Sequence, residues 1–229
     1  MKPQWLLTAF RDSIMANRFT LSAVVLAMGS LLTAPTYGAV LTVNSTADNT
    51  TASDAQCTLR EAIISVNSGV QNPDCSASAP GNDDQIVFGP SITDTSTIEI
   101  STTQLEIVNG VTITGPAGES RLTIEQQSAS RVMAVDLSNA PEGDAISISN
   151  LHITGGSTTS GGGAGLKIAN SDVTINNCEF SGNNALGYGG GIATGFSSTL
   201  SIVDSVISGN YAYYGGGVYA EGGSTISIT

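Results

Sequence analysis

Basic residues are scarce in this chain. Seven Lys and Arg stand against nineteen Asp and Glu over 229 residues, a formal net charge of −12. Three of the seven, Lys2, Arg11 and Arg18, fall in the first eighteen positions. From residue 39 onward, four (Arg60, Arg121, Arg131 and Lys167) face eighteen acids, a balance of 4 − 18 = −14. So acidic a body excludes binding of nucleic acid or anionic lipid by charge. It reads as a solvated acidic exterior, with divalent-cation binding as the other reading. Histidine occurs once, as His152, and cysteine three times. Neither Cys57 nor Cys75 has another Cys or His at zinc-ligand spacing beside it, which weighs against a structural metal. The glycine blocks are followed by no Lys-Ser or Lys-Thr pair, so they are not a phosphate cradle. No Asp follows them either, which removes the Gly-Gly-x-Gly-x-Asp calcium solenoid pattern. Long apolar runs are limited to one, close to the N-terminus, so no other segment is able to cross a membrane as a helix.

What the chain does have is a repeat. Ile146-Ser147-Ile148-Ser149-Asn150-Leu151-His152-Ile153 aligns with Val173 to Phe180 and with Leu200 to Ile207, at an offset of 27 each time, and a fourth copy opens at Ile226-Ser227-Ile228. Gly165-Leu166, Gly191-Ile192 and Gly217-Val218 recur at 26. Short alternating apolar runs with this period and Gly/Asn turns predict a solenoid of β-strands, coil stacked on coil. The fold class is all-β: a right-handed parallel β-helix of 26- to 27-residue coils. Ile153, Phe180 and Ile207 should form one inward row, and Ile146, Val173, Leu200 and Ile226 another, while His152, Glu179 and Val206 face out. Asn150, Asn177 and Asp204 fall in register as a turn ladder, as do Gly156, Asn183 and Asn210. These residue types tolerate left-handed backbone, and stacked Asn amides can bond from coil to coil. The glycine triplets 161–163, 189–191 and 215–217 mark a corner where a Cβ would crowd the next coil.

Upstream of the repeats the chain changes character. Residues 1–38 read as an export signal: Arg18, an apolar core from Leu21 to Leu32, then small residues at Thr36-Tyr37-Gly38-Ala39, with cleavage expected after Gly38 or else after Ala39. Translation starts at Met1 with an extended n-region, or at Met15. Residues 39–85 form a separate N-terminal cap. After the strand Val40-Leu41-Thr42-Val43, Thr58 followed by Glu61 is a capping box. Leu59, Ala62, Ile63 and Val66 then lie at i, i+3, i+4 and i+7, the apolar face of a helix of about nine residues that covers the open end of the solenoid. Cys57 and Cys75 flank it, and a disulfide between them would contribute roughly 3 kcal/mol. From residue 86 to 229 the chain is solenoid, with about six coils expected. It ends within an apolar strand, which reads as truncation of a longer product, whose surface anchor would lie beyond Thr229, or else as an edge that pairs with another chain.

Two family resemblances follow from these residues. Val40-Leu41-Thr42-Val43-Asn44 with Cys57-Thr58-Leu59-Arg60-Glu61-Ala62-Ile63, and then Asp84-Gln85-Ile86-Val87-Phe88, is similar to the CSLREA domain, an N-terminal module of secreted bacterial β-helix proteins. Thr58 stands where that motif has Ser and keeps the hydroxyl. Phe180-Ser181-Gly182-Asn183 with Gly189-Gly190-Gly191-Ile192 resembles the FxxN and GGA[I/L/V] repeats of the polymorphic outer-membrane proteins, and Ile207 to Asn210 with Gly215 to Val218 is a looser copy. The resemblance implies export to the bacterial surface or medium, and an adhesin-like or structural role.

Chemistry has few residues to work with. Polysaccharide hydrolysis needs paired carboxylates, and lyase chemistry needs a calcium-holding acid cluster with a basic residue. Asp136, Asp144, Asp172, Asp204 and Lys167 are the body residues to weigh, and in register they do not gather on one strand face. Asp83 and Asp84, with Asp48 or Asp54, could hold Ca2+; a plain acidic turn is the other reading. Cys178 sits inward, in register with Leu151 and Ser205, as a core-filling thiol. Tyr188, Tyr211, Tyr213, Tyr214 and Tyr219 cluster at the glycine corner, where they stack along the solenoid, on sugar rings or on a partner protein. The expectation is a non-catalytic surface protein with a carbohydrate or protein ligand and no cofactor. The alternative is the N-terminal part of a carbohydrate-active β-helix enzyme.

Overall fold

The computed structural model describes residues 38–229 apart from positions 52 and 77; the export signal read at 1–38 lies outside the described residues except for Gly38. The described chain is a parallel β-solenoid with one short helix. Its first face is a seven-stranded parallel sheet of Val40–Val43, Asp84–Phe88, Val111–Thr114, Ile146–Ser149, Asp172–Asn176, Thr199–Val203 and Thr225–Ile228. The second face stacks Thr97–Ile100, Leu122–Gln126, Leu151–Thr154, Glu179–Ser181 and Val206–Ser208. The third stacks Leu105–Ile107, Met133–Asp136, Leu166–Ala169, Ile192–Thr194 and Val218–Ala220. Five coils are complete and Thr225–Ile228 opens a sixth. Seven strands at the usual spacing make a stack about 29 Å tall.

The strands form because β-branched residues alternate with Thr, Ser and Glu, and the register puts like above like. On the first face Leu41, Ile86, Ile113, Ile148, Ile175, Ile202 and Ile228 stand in one inward column. All but the last are buried. Ile98, Ile124, Ile153, Phe180 and Ile207 make the matching column of the second face, and Leu105, Met133, Leu166, Ile192 and Val218 that of the third. The 27-residue alignment therefore gives the pairing directly: His152 lies beside Glu179, and Glu179 beside Val206.

Two corners keep the later coils regular. Asn150, Asn177 and Asp204, with φ of 58°, 46° and 49°, each turn the chain from first to second face in one left-handed residue. Asn177 Nδ2 donates to Asn150 Oδ1 at 2.9 Å, and Arg121 reaches from two coils below to donate to Asn177 O at 2.7 Å and Oδ1 at 2.9 Å. At the next bend Asn183 is 1% exposed. Its Oδ1 accepts from Gly156 N (2.9 Å) and its Nδ2 donates to Ile153 O and to Asn210 Oδ1 (3.0 Å each). Asn210 repeats the pattern, donating to Phe180 O at 2.8 Å.

The glycine corner differs in detail from the triplet alignment. Gly163, Gly189 and Gly215 share the left-handed position, with φ of 66°, 53° and 58°. The triplet at 161–163 therefore sits two residues early, and Ala164 takes the place of Gly190 and Gly216. At Gly190 a Cβ would press on the carbonyls of Tyr211 and Gly216. The second coil is also longer than the rest: Val111 pairs with Ile146 across 35 residues, because nine residues separate Asp136 from Ile146 where two separate Ala169 from Asp172 one coil later.

The N-terminal segment closes all three faces. Helix α1 (Leu59–Ser68) starts at Thr58, whose Oγ1 accepts from Glu61 N at 3.1 Å while Glu61 Oε2 accepts from Thr58 N at 2.9 Å, and ends at left-handed Gly69. On the first face, the outer edge of Val40–Val43 is satisfied by cysteine carbonyls: Thr42 N donates to Cys75 O, and Asn44 N to Cys57 O. On the second, Asp48 accepts from Ser101 N and Thr102 N. On the third, Asn67 stands in for a strand, donating to Glu106 O and accepting from Val108 N. Arg60 ties helix to edge, pairing with Asp48 at 2.6 Å and donating to Thr103 O and Gln104 O. Burial opposes the charge on Asp48, but Arg60, Ser101 and Thr102 outweigh it and hold the carboxyl below its ordinary range. Acidification through that range therefore weakens the cap. Cys57 and Cys75 form a disulfide with Cα atoms 4.9 Å apart.

Two stability measurements follow. Asn183→Ala leaves Gly156 N, Ile153 O and Asn210 without their partner, and should cost about 2 to 4 kcal/mol, read as a lowered midpoint in chemical denaturation. Replacing Cys57 and Cys75 by Ser should cost about 3 kcal/mol; an unchanged midpoint would show that the cap does not depend on the covalent link.

Candidate functional site

Tyrosine is concentrated where the coils widen. Between second and third faces, Ser157–Thr158, Asn184–Tyr188 and Tyr211–Tyr214 form a short fourth ladder. Asn184 pairs with Tyr211 and Tyr188 with Tyr214, with an irregularity between Ala185 and Tyr188. Ala185 is buried, while Leu186, Tyr188, Tyr211, Tyr213 and Tyr214 project to solvent. Tyr219 stands on the adjoining third face, in the outward column of Lys167 and Ala193. The glycine corner lies between them.

Three rings form a stack. Tyr188 lies between Tyr219, at a centroid distance of 4.7 Å and 25° between planes, and Tyr214, at 5.8 Å and 20°. Tyr213 meets Tyr214 edge-on at 4.8 Å. These rings stay wet: Tyr213 is 73% exposed, Tyr211 62% and Tyr214 55%. Phe196, 61% exposed, extends the aromatic surface past the third face, its ring over Gly222 and Gly223 of the next coil. Sequence reasoning grouped the five tyrosines but missed Phe196 and Leu186. The signal for Phe196 was its place in a Gly-Phe-Ser-Ser turn, where a large apolar residue has no inward position. Exposed apolar surface of this kind is characteristic of interaction sites in general. Phenolic hydroxyls add donors and acceptors at its rim. No Lys or Arg occurs after Lys167, while Asp172, Glu179, Asp204 and Glu221 do, so the surface suits a neutral rather than an anionic ligand.

The other weighed residues are placed as follows. Asp144 Oδ2 accepts from Gly110 N at 2.9 Å. With Glu142 and Asp172 it lines a polar hollow of about 240 Å³ beside the 137–144 loop, so Asp144 and Asp172 come closer than strand register alone implied. Asp136 accepts from Ser138 N and Asn170 Nδ2. Burial works against its charge, but these bonds and nearby Lys167 lower its pKa. Asp204 serves the turn, and Lys167 is exposed on the third face. Asp48 is engaged with Arg60, and Asp84 is turned inward and 1% exposed. Asp54 accepts from Gln56 N. Among the described residues no three His, Cys, Asp or Glu lie together as a cation would need. Arg131 is a clamp: it donates to Gln104 Oε1 at 2.7 Å and to Gly163 O at 2.8 Å, joining three coils, and burial lowers its pKa.

Cys178 is buried, its Sγ donating to Asn176 O at 3.3 Å and Ile148 O at 3.5 Å. Burial pushes its thiol up to about 11. A disulfide-exchange reagent at pH 8 should leave it unmodified in the native chain and label it only on unfolding; rapid native labelling would contradict this placement. Among the described residues no helix is long and apolar enough to cross a membrane. Comparison with protein-family models, with curated proteins and with solved structures finds no match.

Proposed function

We propose that this chain is an exported bacterial β-solenoid that acts without catalysis, presenting its tyrosine corner to a neutral carbohydrate at the cell surface or in the medium. The observation that carries the reading is the Tyr188, Tyr214 and Tyr219 stack, with Tyr188 and Tyr214 exposed and Tyr219 half-buried, flanked by exposed Tyr211 and Tyr213. Sugar rings offer an apolar C–H face and equatorial hydroxyls, which match an aromatic face rimmed with phenols. The acidic body repels anionic polymers and leaves neutral ones unopposed. The N-terminal segment with its disulfide is consistent with the CSLREA-type cap that the sequence resembles, and an oxidising compartment is where such a bond persists. The repeats of the polymorphic outer-membrane type support the same surface location.

The test has two arms. Fractionation of cells expressing the full-length gene should recover the chain outside the cytoplasm. The exported product, screened on an array of neutral and acidic polysaccharides, should retain neutral ones. Tyr188→Ala, which removes contacts to both neighbours, should weaken binding roughly tenfold, and a Tyr214→Ala/Tyr219→Ala double variant should abolish it while the unfolding midpoint stays near wild type. Capture of a protein but no polysaccharide, or binding indifferent to these tyrosines, would overturn the ligand class. Shortening of the bound polysaccharide would move the chain to the carbohydrate-active enzymes and turn attention to Asp144 and Asp172.

A further inference from the structure

One inward column contains a residue that does not belong in an apolar core. On the first face Val111, Ile146, Val173, Leu200 and Ile226 stand in register, and the residue beneath Val111 is Asp84. Its side chain is directed inward and the residue is 1% exposed. A carboxylate withdrawn from water needs a countercharge as well as hydrogen bonds. Asp84 has the bonds. Oδ1 accepts from Ala39 N at 2.7 Å and Gly81 N at 2.9 Å, and Oδ2 from Gly81 N at 3.1 Å. Among the described residues it has no cation, the ion pairs there being Arg60 with Asp48 and Arg121 with Glu179.

The nitrogen at 2.7 Å belongs to the residue that follows the expected cleavage point. Ala39 is itself 1% exposed and is locked in place by Gln85 N, which donates to Ala39 O at 2.8 Å. Gly38 is packed so closely against the carbonyls of Asn82 and Asp83 that a side chain would not fit. We propose that the Gly38–Ala39 bond is the processing site and that the α-ammonium released there is the countercharge of Asp84. This rests on the export reading. An export-linked endopeptidase, acting on the extended precursor before the cap closes, adds water across that bond. The water oxygen goes to Gly38, which leaves as a carboxylate with residues 1–37, and both protons go to the nitrogen of Ala39. One peptide N–H thus becomes three donors bearing a full charge. Asp84 takes that charge, and the carbonyls that had crowded Gly38 are acceptors at the same spot. The other acid beside the new terminus is Asp83, which is exposed. Asp84 is on this account a receptor for the mature N-terminus, and cap closure is coupled to removal of the signal.

The experiment expresses residues 1–229 in an exporting bacterium. Intact mass of the exported product should correspond to residues 39–229. That product holds two amines, the α-amine and Lys167, since the other lysine is Lys2. Acetylation under native conditions, followed by peptide mapping, should modify exposed Lys167 and spare the α-amine. Asp84→Asn should make the α-amine reactive and lower the thermal midpoint by about 6 °C or more. An exported product that begins at Val40 or later refutes this proposal alone. So does an α-amine acetylated as fast as Lys167 in the wild type, or an Asp84→Asn product with unchanged midpoint and protected amine. A chain retained unprocessed in the cytoplasm refutes the export reading together with it.

Discussion

Parallel pairing between successive coils is the constraint from which the rest of this structure follows. A strand in the solenoid has its partners about 27 residues away on either side, so its N–H and C=O groups are satisfied only if the next coil has the same length and the same corners. That requirement selects the left-handed turn residues, aligns Ile on Ile along the first face, and makes Asn183 bond both the coil below and the coil above. Each coil borrows its geometry from its neighbour, and the order has to begin somewhere. It begins at the cap. There cysteine carbonyls, Asp48 and Asn67 supply the first face, second face and third face with the partners that no earlier coil provides.

The same constraint shapes the outer surface. Because like lies above like, one outward substitution per coil becomes a column, and three tyrosines spread over two coils become a stack with rings 4.7 and 5.8 Å apart. No single coil could hold that surface. The glycine corner matters here for what it leaves out, since side chains at Gly189, Gly190 or Gly215 would press on the carbonyls of Ile192, Tyr211 and Val218 and spoil the corner from which Tyr188 and Tyr219 rise. Acidic residues are scattered over the remaining faces, with no Lys or Arg after Lys167.

Much of the fold was legible in the chain. The 27-residue offset is a statement about which residues pair, and it was sufficient for Ile153, Phe180 and Ile207 because identical coils leave no freedom of register. The capping box at Thr58 and Glu61 was legible because its chemistry is local. What escaped was non-periodic. The extra residues of the second coil, in the 137–145 loop, carry no repeat signal by which to place them. The two-residue offset of the first glycine triplet was hidden by composition, since Ala164 does the work of a glycine. Arg121 and Arg131 reach across coils on long side chains, and no spacing rule announces such a reach. Of the candidate site, the tyrosines could be counted in the sequence, but which rings share a stack depended on the irregular pairing after Ala185. Asp84 looked like part of an acidic turn with Asp83; only strand parity turns one of that pair outward and the other into the core.

The direction of the backbone hydrogen bonds has a mechanical consequence. They run along the axis of the stack, from coil to coil, so a pull on the last strand does not shear a whole sheet at once. It opens one coil, then the next. Each coil that lets go releases roughly 90 Å of slack chain while those nearer the cap keep their pairing. Arg121 and Arg131 each add side-chain bonds that span three coils in the middle of the stack. Under load the structure would lengthen coil by coil, with a longer step at the 35-residue second coil and its disulfide-closed cap the last part to yield.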